Sequence, residues 1–77
     1  MICIFELENN NYYIENTNNP EIRFQEHIDG NGSHWTRLYR PIKIVKVITS
    51  LLPDELITQI NKYKMMYGSD RVKSELD

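Results

Sequence analysis

One cysteine, three glycines and three prolines are all that this 77-residue chain has of those types. Cys3 alone cannot close an internal disulfide, and no Cys/His spacing resembles a zinc site. The expected setting is therefore the reducing interior of a cell, cytoplasmic or nuclear, with Cys3 a small buried apolar residue. No apolar run approaches the roughly 20 residues that cross a bilayer, so no membrane partner is expected. Met1-Ile2-Cys3-Ile4-Phe5-Glu6 lacks a basic stretch ahead of its apolar residues and reads as a strand rather than a signal peptide. Excess positive charge is missing as well: the formal net charge is −2, which excludes a protein that coats nucleic acid by bulk charge. A chain this short buries only about 60% of its unfolded surface, and a single domain over residues 1–77 is expected.

The charge that is present is unevenly placed. Arg23, Arg37, Arg40, Lys43, Lys46 and both histidines lie in the middle of the chain, against only Glu26 and Asp29. The other acids gather toward the ends. A segment facing phosphate and a solvated mixed surface both fit this distribution.

Residues 2–7 are β-branched, aromatic and apolar, as a strand requires. Glu8-Asn9-Asn10-Asn11 supplies turn chemistry, since Asn tolerates left-handed backbone angles, and Tyr12-Tyr13-Ile14 resumes the strand, so an antiparallel hairpin is predicted. Asn19, Pro20 and Glu21 form a helix start: a cap, a residue suited to the first position, and an acid at the positive end. Phe24 and Ile28 point to the core, Arg23 and His27 occupy the adjoining strip, and Gly30 ends the helix. Ser33 caps a short helix through Leu38, Pro41 breaks it, and residues 42–48 form a third strand. Pro53 opens a second long helix with Leu56, Ile60, Tyr63 and Tyr67 at helical spacing, and Gly68 ends it. The charged tail, residues 69–77, reads as a short helix or a frayed end. The order β-β-α-(α)-β-α suggests an α/β (α+β) domain, a small mixed sheet with helices around it.

Three polar features are not required by core building: Tyr13 at the end of its strand, Arg23 with His27 at the rim of the core, and Glu55 in the first turn of the last helix. Such a set can hydrolyse a phosphodiester. One or two carboxylates suffice for a hydrated Mg²⁺, which polarises the phosphate. An arginine offers paired donors as charge builds. A tyrosine can relay a proton if nearby cations lower its pKa. Each residue also has a structural explanation: strand packing for Tyr13, a solvated charge for Arg23, a hydrogen-bonded imidazole for His27, and the helix dipole for Glu55.

The order of the pieces adds a resemblance. Cys3-Ile4-Phe5, then Tyr13-Ile14-Glu15, Thr17-Asn18-Asn19-Pro20, and Arg23 with His27 run in series. Gly30-Asn31-Gly32-Ser33-His34-Trp35-Thr36, Pro41-Ile42-Lys43, and Glu55 with Thr58, Met65, Tyr67, Gly68 and Val72 complete it. From Ile2 to about Val72 the sequence resembles the GIY-YIG nucleases. The resemblance implies a three-stranded antiparallel sheet flanked by helices, and a divalent-metal-dependent endonuclease acting on DNA, with RNA as the alternative substrate. Tyr13 would orient or deprotonate water, Arg23 would stabilise the phosphate, His27 would support by hydrogen bonding, and Glu55 would hold Mg²⁺ or Mn²⁺. Arg37, Arg40 and Lys43 would contact substrate phosphates. A viral or mobile-element origin fits so small a version, with specificity supplied by homo-oligomerisation, a partner or a longer parent protein.

The departures fall on the motif itself. Phe5 lacks the tyrosine hydroxyl of the first triplet, Glu15 replaces the glycine of the second, and Asn16 replaces a common lysine. Glu15 adds bulk and negative charge where a phosphate should come, or else a second metal-binding carboxylate. Val72-Lys73-Ser74-Glu75 stands where the branch tends to run Val-Arg-Gly-Gly. Three readings stay open: an active endonuclease, a catalytically degenerate module that binds nucleic acid or protein, and a structural subunit of an assembly.

Overall fold

Two strands in the middle of a four-stranded sheet carry the molecule. In the computed structural model, which describes all residues from Met1 to Asp77, β1 (Ile2–Leu7) pairs antiparallel with β2 (Asn11–Asn16), setting Phe5 opposite Tyr13 and Cys3 opposite Glu15. A 3₁₀ turn over Glu8–Asn10 joins them. Asn9 and Asn10 both take φ of 60°, the left-handed conformation that the Asn run predicts. The Asn11 side-chain amide closes the turn by donating to the Glu8 carbonyl at 3.0 Å.

Alternation along these strands gives two faces, and both are buried. Ile2, Ile4, Tyr12 and Ile14 form one, packed with Ile60, Tyr63 and Val72. Cys3, Phe5, Leu7 and Tyr13 form the other, packed with Phe24, Trp35, Tyr39 and Ile44. Two helices, α1 (Pro20–Ile28) and α2 (His34–Leu38), supply the cover for the Tyr13 face; α3 (Glu55–Tyr67) covers the opposite one. The Asn19 side chain accepts from the Ile22 N–H and the Ser33 hydroxyl from the Thr36 N–H, the two caps expected. No helix is long and apolar enough to cross a membrane.

The sheet has four strands, not the three expected, and it is mixed rather than wholly antiparallel. Its order is β3-β1-β2-β4. β3 (Pro41–Ile48) lies antiparallel to β1 at one edge, with two register shifts and with Lys43 and Lys46 exposed on it. Bulges and lysines both discourage another strand from pairing there. The tail read as a short helix or a frayed end forms β4 (Val72–Ser74) instead, parallel to β2. Three residues are too short to show a period, but Val72 is fully buried. Without β4, the N–H of Tyr12 and the carbonyl of Ile14 would lack their partners, Arg71 and Glu75, at 2.8 and 3.2 Å.

The loop before α3 brings its start back to the sheet. Leu56 shares the walls of a cavity of about 330 Å³ with Met1, Ile2 and Asn16. The first turn of α3 therefore lies at the same end of the sheet as Glu15, although the helix packs on the other face.

Candidate active site

Glu15 projects from β2 toward α1, on the face that carries Tyr13. It is 4% exposed, a depth at which a bare carboxylate is not tolerated. Helix α1 answers it. Arg23 and His27, one turn apart, both reach the same carboxylate oxygen: Arg23 Nε donates to Glu15 Oε1 at 2.8 Å, and His27 Nε2 lies 2.6 Å from it. Facing an anion, Nε2 must be the nitrogen that carries the proton. On its other side, His27 Nδ1 is 2.7 Å from Thr36 Oγ1, and the Thr36 hydroxyl is also 3.0 Å from the Ser33 carbonyl. Arg23 extends a second, longer contact to Glu26 at 3.3 Å.

His27 is not at the rim of the core, as its helical strip suggests, but inside it, 1% exposed. Its ring packs against Phe5 at 5.3 Å and edge-on to Tyr13 at 5.2 Å. Tyr13 likewise does not end its strand; β2 continues to Asn16.

The electrostatics follow from this geometry. Burial pushes the Glu15 carboxyl up, but the hydrogen bonds from His27 and Arg23 outweigh it and hold the group below its ordinary value. The bond to Glu15, working against desolvation, keeps Arg23 more firmly protonated than usual. Tyr13 moves upward, first through burial and then through the charge of Glu15, with Ser33 and Arg23 pulling weakly the other way. The sequence suggests cations lowering the tyrosine; Glu15 cancels them.

Of the residues singled out from sequence, the structure gathers Tyr13, Arg23 and His27 around Glu15. Glu55 stands apart, at the start of α3. Its carboxylate is partly buried and has one side-chain contact, Gln59 Nε2 at 3.5 Å. Arg37 and Arg40 are exposed beyond the site, Arg37 touching the Gly32 carbonyl at 3.4 Å. Lys43, on β3, lies 3.9 Å from Glu6. Thr36, buried and hydrogen-bonded to His27, was not legible as a site residue; nothing in a Ser-x-Trp-Thr run says which imidazole it will meet. Gln59 was missed too, and its buried Oε1 has no partner.

The model of the GIY-YIG catalytic domain matches residues 2–67 of this sequence. The chain belongs to the GIY-YIG family. No curated protein and no solved structure matches it. As a GIY-YIG domain it is a member of a nuclease family whose substrate is DNA and whose enzymes typically depend on a divalent metal. Glu55, partly open to solvent and next to exposed Asp54, is the sequence-predicted residue whose carboxylate would be free to take such an ion. No three His, Cys, Asp or Glu side chains converge, so an ion held here would keep most of its ligands as water, the habit of Mg²⁺. Glu15, by contrast, has its Oε1 committed to Arg23 and His27.

Proposed function

We propose that this GIY-YIG domain binds nucleic acid and that its own Glu15 holds the family's phosphodiester chemistry off. The observation that carries this reading is the double contact on Glu15 Oε1, from Arg23 at 2.8 Å and His27 at 2.6 Å. A phosphate oxygen would ask for the same donors in the same way. The carboxylate thus stands as an internal substitute for the substrate anion, and Arg23 and His27 are already satisfied.

For Arg23 to stabilise a scissile phosphate, Glu15 must first be displaced. Breaking a buried ion pair costs about 3–5 kcal/mol, which corresponds to roughly 10²–10⁴ in rate. Phe5 adds to this by offering no hydroxyl opposite Tyr13. Binding is left to cations outside the pair: Arg37 and Arg40 at the end of α2 and Lys43 on the edge strand.

A second reading, the divalent-metal-dependent endonuclease, is favoured by Glu55, whose carboxylate is open enough to hold a hydrated Mg²⁺ or Mn²⁺. There the ion would polarise the phosphate, Tyr13 would orient water and a freed Arg23 would meet the developing charge.

Two assays on one preparation separate them. Anisotropy of a labelled duplex should report binding that weakens steeply with salt, and Arg40→Ala with Lys43→Ala should lower the slope of log K against log salt by about 1 per lost contact. Supercoiled plasmid with Mg²⁺ or Mn²⁺ should stay intact under the same conditions. Cutting that disappears in both Arg23→Ala and Glu55→Ala would overturn the silenced reading in favour of the endonuclease.

A further inference from the structure

Tyr13 has a second side. Its ring contacts His27, and it also lines a cavity of about 250 Å³ with Ser33, His34, Trp35, Lys73, Ser74 and Asp77. This cavity lies between α2 and β4, so the strand that the sequence did not announce builds one of its walls.

The distinctive group is Lys73. Among the lysines and arginines, three are partly buried: Arg23, Lys64 and Lys73. Arg23 is paired with Glu15 and Glu26, and Lys64 lies 4.0 Å from Asp77. Lys73 has no carboxylate partner; its Nζ stands 5.7 Å from the centre of the Trp35 ring. A partly desolvated ammonium facing only an aromatic ring gains modestly from it and keeps its hydrogen-bonding capacity for an anion.

The other walls agree with an anionic guest. Burial keeps the Tyr13 phenol protonated, hence a donor, while the Ser33 hydroxyl would have to turn from the Thr36 hydroxyl, 3.2 Å away, to join it. Asp77 is the one acidic side chain on the wall, and Lys64 Nζ lies 4.0 Å from its Oδ1. Oδ2 accepts from the Ser74 N–H at 2.6 Å and from the Ser74 hydroxyl at 3.1 Å. The volume is below the roughly 300–1,000 Å³ of pockets for drug-sized ligands, which suits a phosphate and its attached sugar better than a whole nucleotide.

We propose that the cavity between Tyr13 and Lys73 is a phosphate subsite that takes a backbone phosphate of a nucleic-acid strand, replacing the anion site that Glu15 has closed. Lys73 is its charged contact, Tyr13 and Ser33 its hydroxyl contacts, and Trp35 its apolar floor. The inference rests on the reading that the domain binds nucleic acid, and it moves phosphate recognition across Tyr13, from the helix α1 side to the β4 side.

Trp35 is the single tryptophan, so the site carries its own reporter: an Nζ drawn off the ring changes its emission. The native chain is titrated with a short oligothymidylate, with thymidine monophosphate and with inorganic phosphate, reading Trp35 fluorescence, while anisotropy of a labelled oligothymidylate gives total affinity. A saturable fluorescence change with the oligonucleotide is expected. Lys73→Met, which keeps the stem on the ring, should abolish that change, weaken oligonucleotide binding about tenfold and reduce the salt slope by about 0.7. Lys73→Arg should restore binding. Lys43→Ala should weaken total affinity and leave the Trp35 signal in place. If the native chain binds the oligonucleotide but Lys73→Met changes neither affinity, slope nor fluorescence, the subsite is wrong while the nucleic-acid reading stands. If the native chain binds no oligonucleotide, that reading and the strand-phosphate assignment fail together. A Lys73-dependent response to thymidine monophosphate or inorganic phosphate alone then marks a pocket for free phosphate compounds.

Discussion

Glu15→Gln destabilises the protein by about 3 kcal/mol at neutral pH and removes much of the acid-sensitive part of its stability. Taking the charge from one member of a buried pair leaves the others uncompensated, at about 3–5 kcal/mol. The lower end applies because the Arg23 side chain is 29% exposed and regains water, while His27 does not. The pH dependence follows from the carboxylate being held below the ordinary value of 4.5, its burial outweighed by His27 and Arg23. In the unfolded chain Glu15 binds a proton at the ordinary value; in the folded chain it does so only at lower pH. Its contribution is therefore complete above the unfolded pKa and is lost as pH falls through the folded one. Urea unfolding between pH 3 and 7 measures this. The native midpoint should drop on acidification more steeply than that of Glu15→Gln, and the two curves should converge at the acid end. Parallel curves would mean that the contact to Glu15 contributes little.

Gly32→Ala should be as damaging, for a steric reason. A Cβ at this position would come within 2.6 Å of His27 Cε1 and 2.7 Å of Cγ, with Nδ1 nearer still. The imidazole cannot retreat. It is bonded to Thr36 and Glu15 and wedged between Phe5 and Tyr13. Overpacking of this kind typically costs about 1–3 kcal/mol, and here it also disturbs the Glu15 pair, so a loss at or above the top of that range is expected. Gly30, two residues earlier, makes the useful contrast. A Cβ there meets nothing within 4 Å, but its φ is +83°, so Gly30→Ala carries only the conformational cost of about 1–2 kcal/mol. Thermal unfolding of both variants, with the imidazole NMR signals of His27 as a local probe, should show Gly32→Ala less stable and its His27 resonances shifted. Equal losses with an unmoved His27 would contradict the packing argument.

These two residues show what was and was not legible in the sequence. The hairpin, both caps and the stripe of α3 follow from local rules, because a turn of asparagines, a Ser three residues before a Thr N–H, or apolar residues at helical spacing act through neighbours in the chain. Cys3 was readable as core for the same reason. Gly32 carries no local signal of its role, which is to leave room for a ring five residues back. Glu15 was visible as a departure from the family's glycine, but its pairing depends on α1 crossing β2 at one particular height, which no local pattern encodes. β4 was hidden because three residues carry no period and its hydrogen bonds go to a strand some 60 positions earlier, Tyr12 against Val72. The residues that the resemblance singles out were legible as a collinear series, since the fold preserves their order. Their mutual satisfaction was not, since it rests on angstrom-scale contacts across elements.

On the proposed reading, Glu15 occupies the position of the substrate anion. A titration with inorganic phosphate that follows the ring nitrogens of His27 by NMR, in the native chain and in Glu15→Gly, tests this. Native His27 should not respond, because its Nε2 proton is already given to Glu15, whereas in Glu15→Gly it should shift and saturate as phosphate takes the vacated place beside Arg23. A native His27 that responds to phosphate as readily as the variant would contradict it.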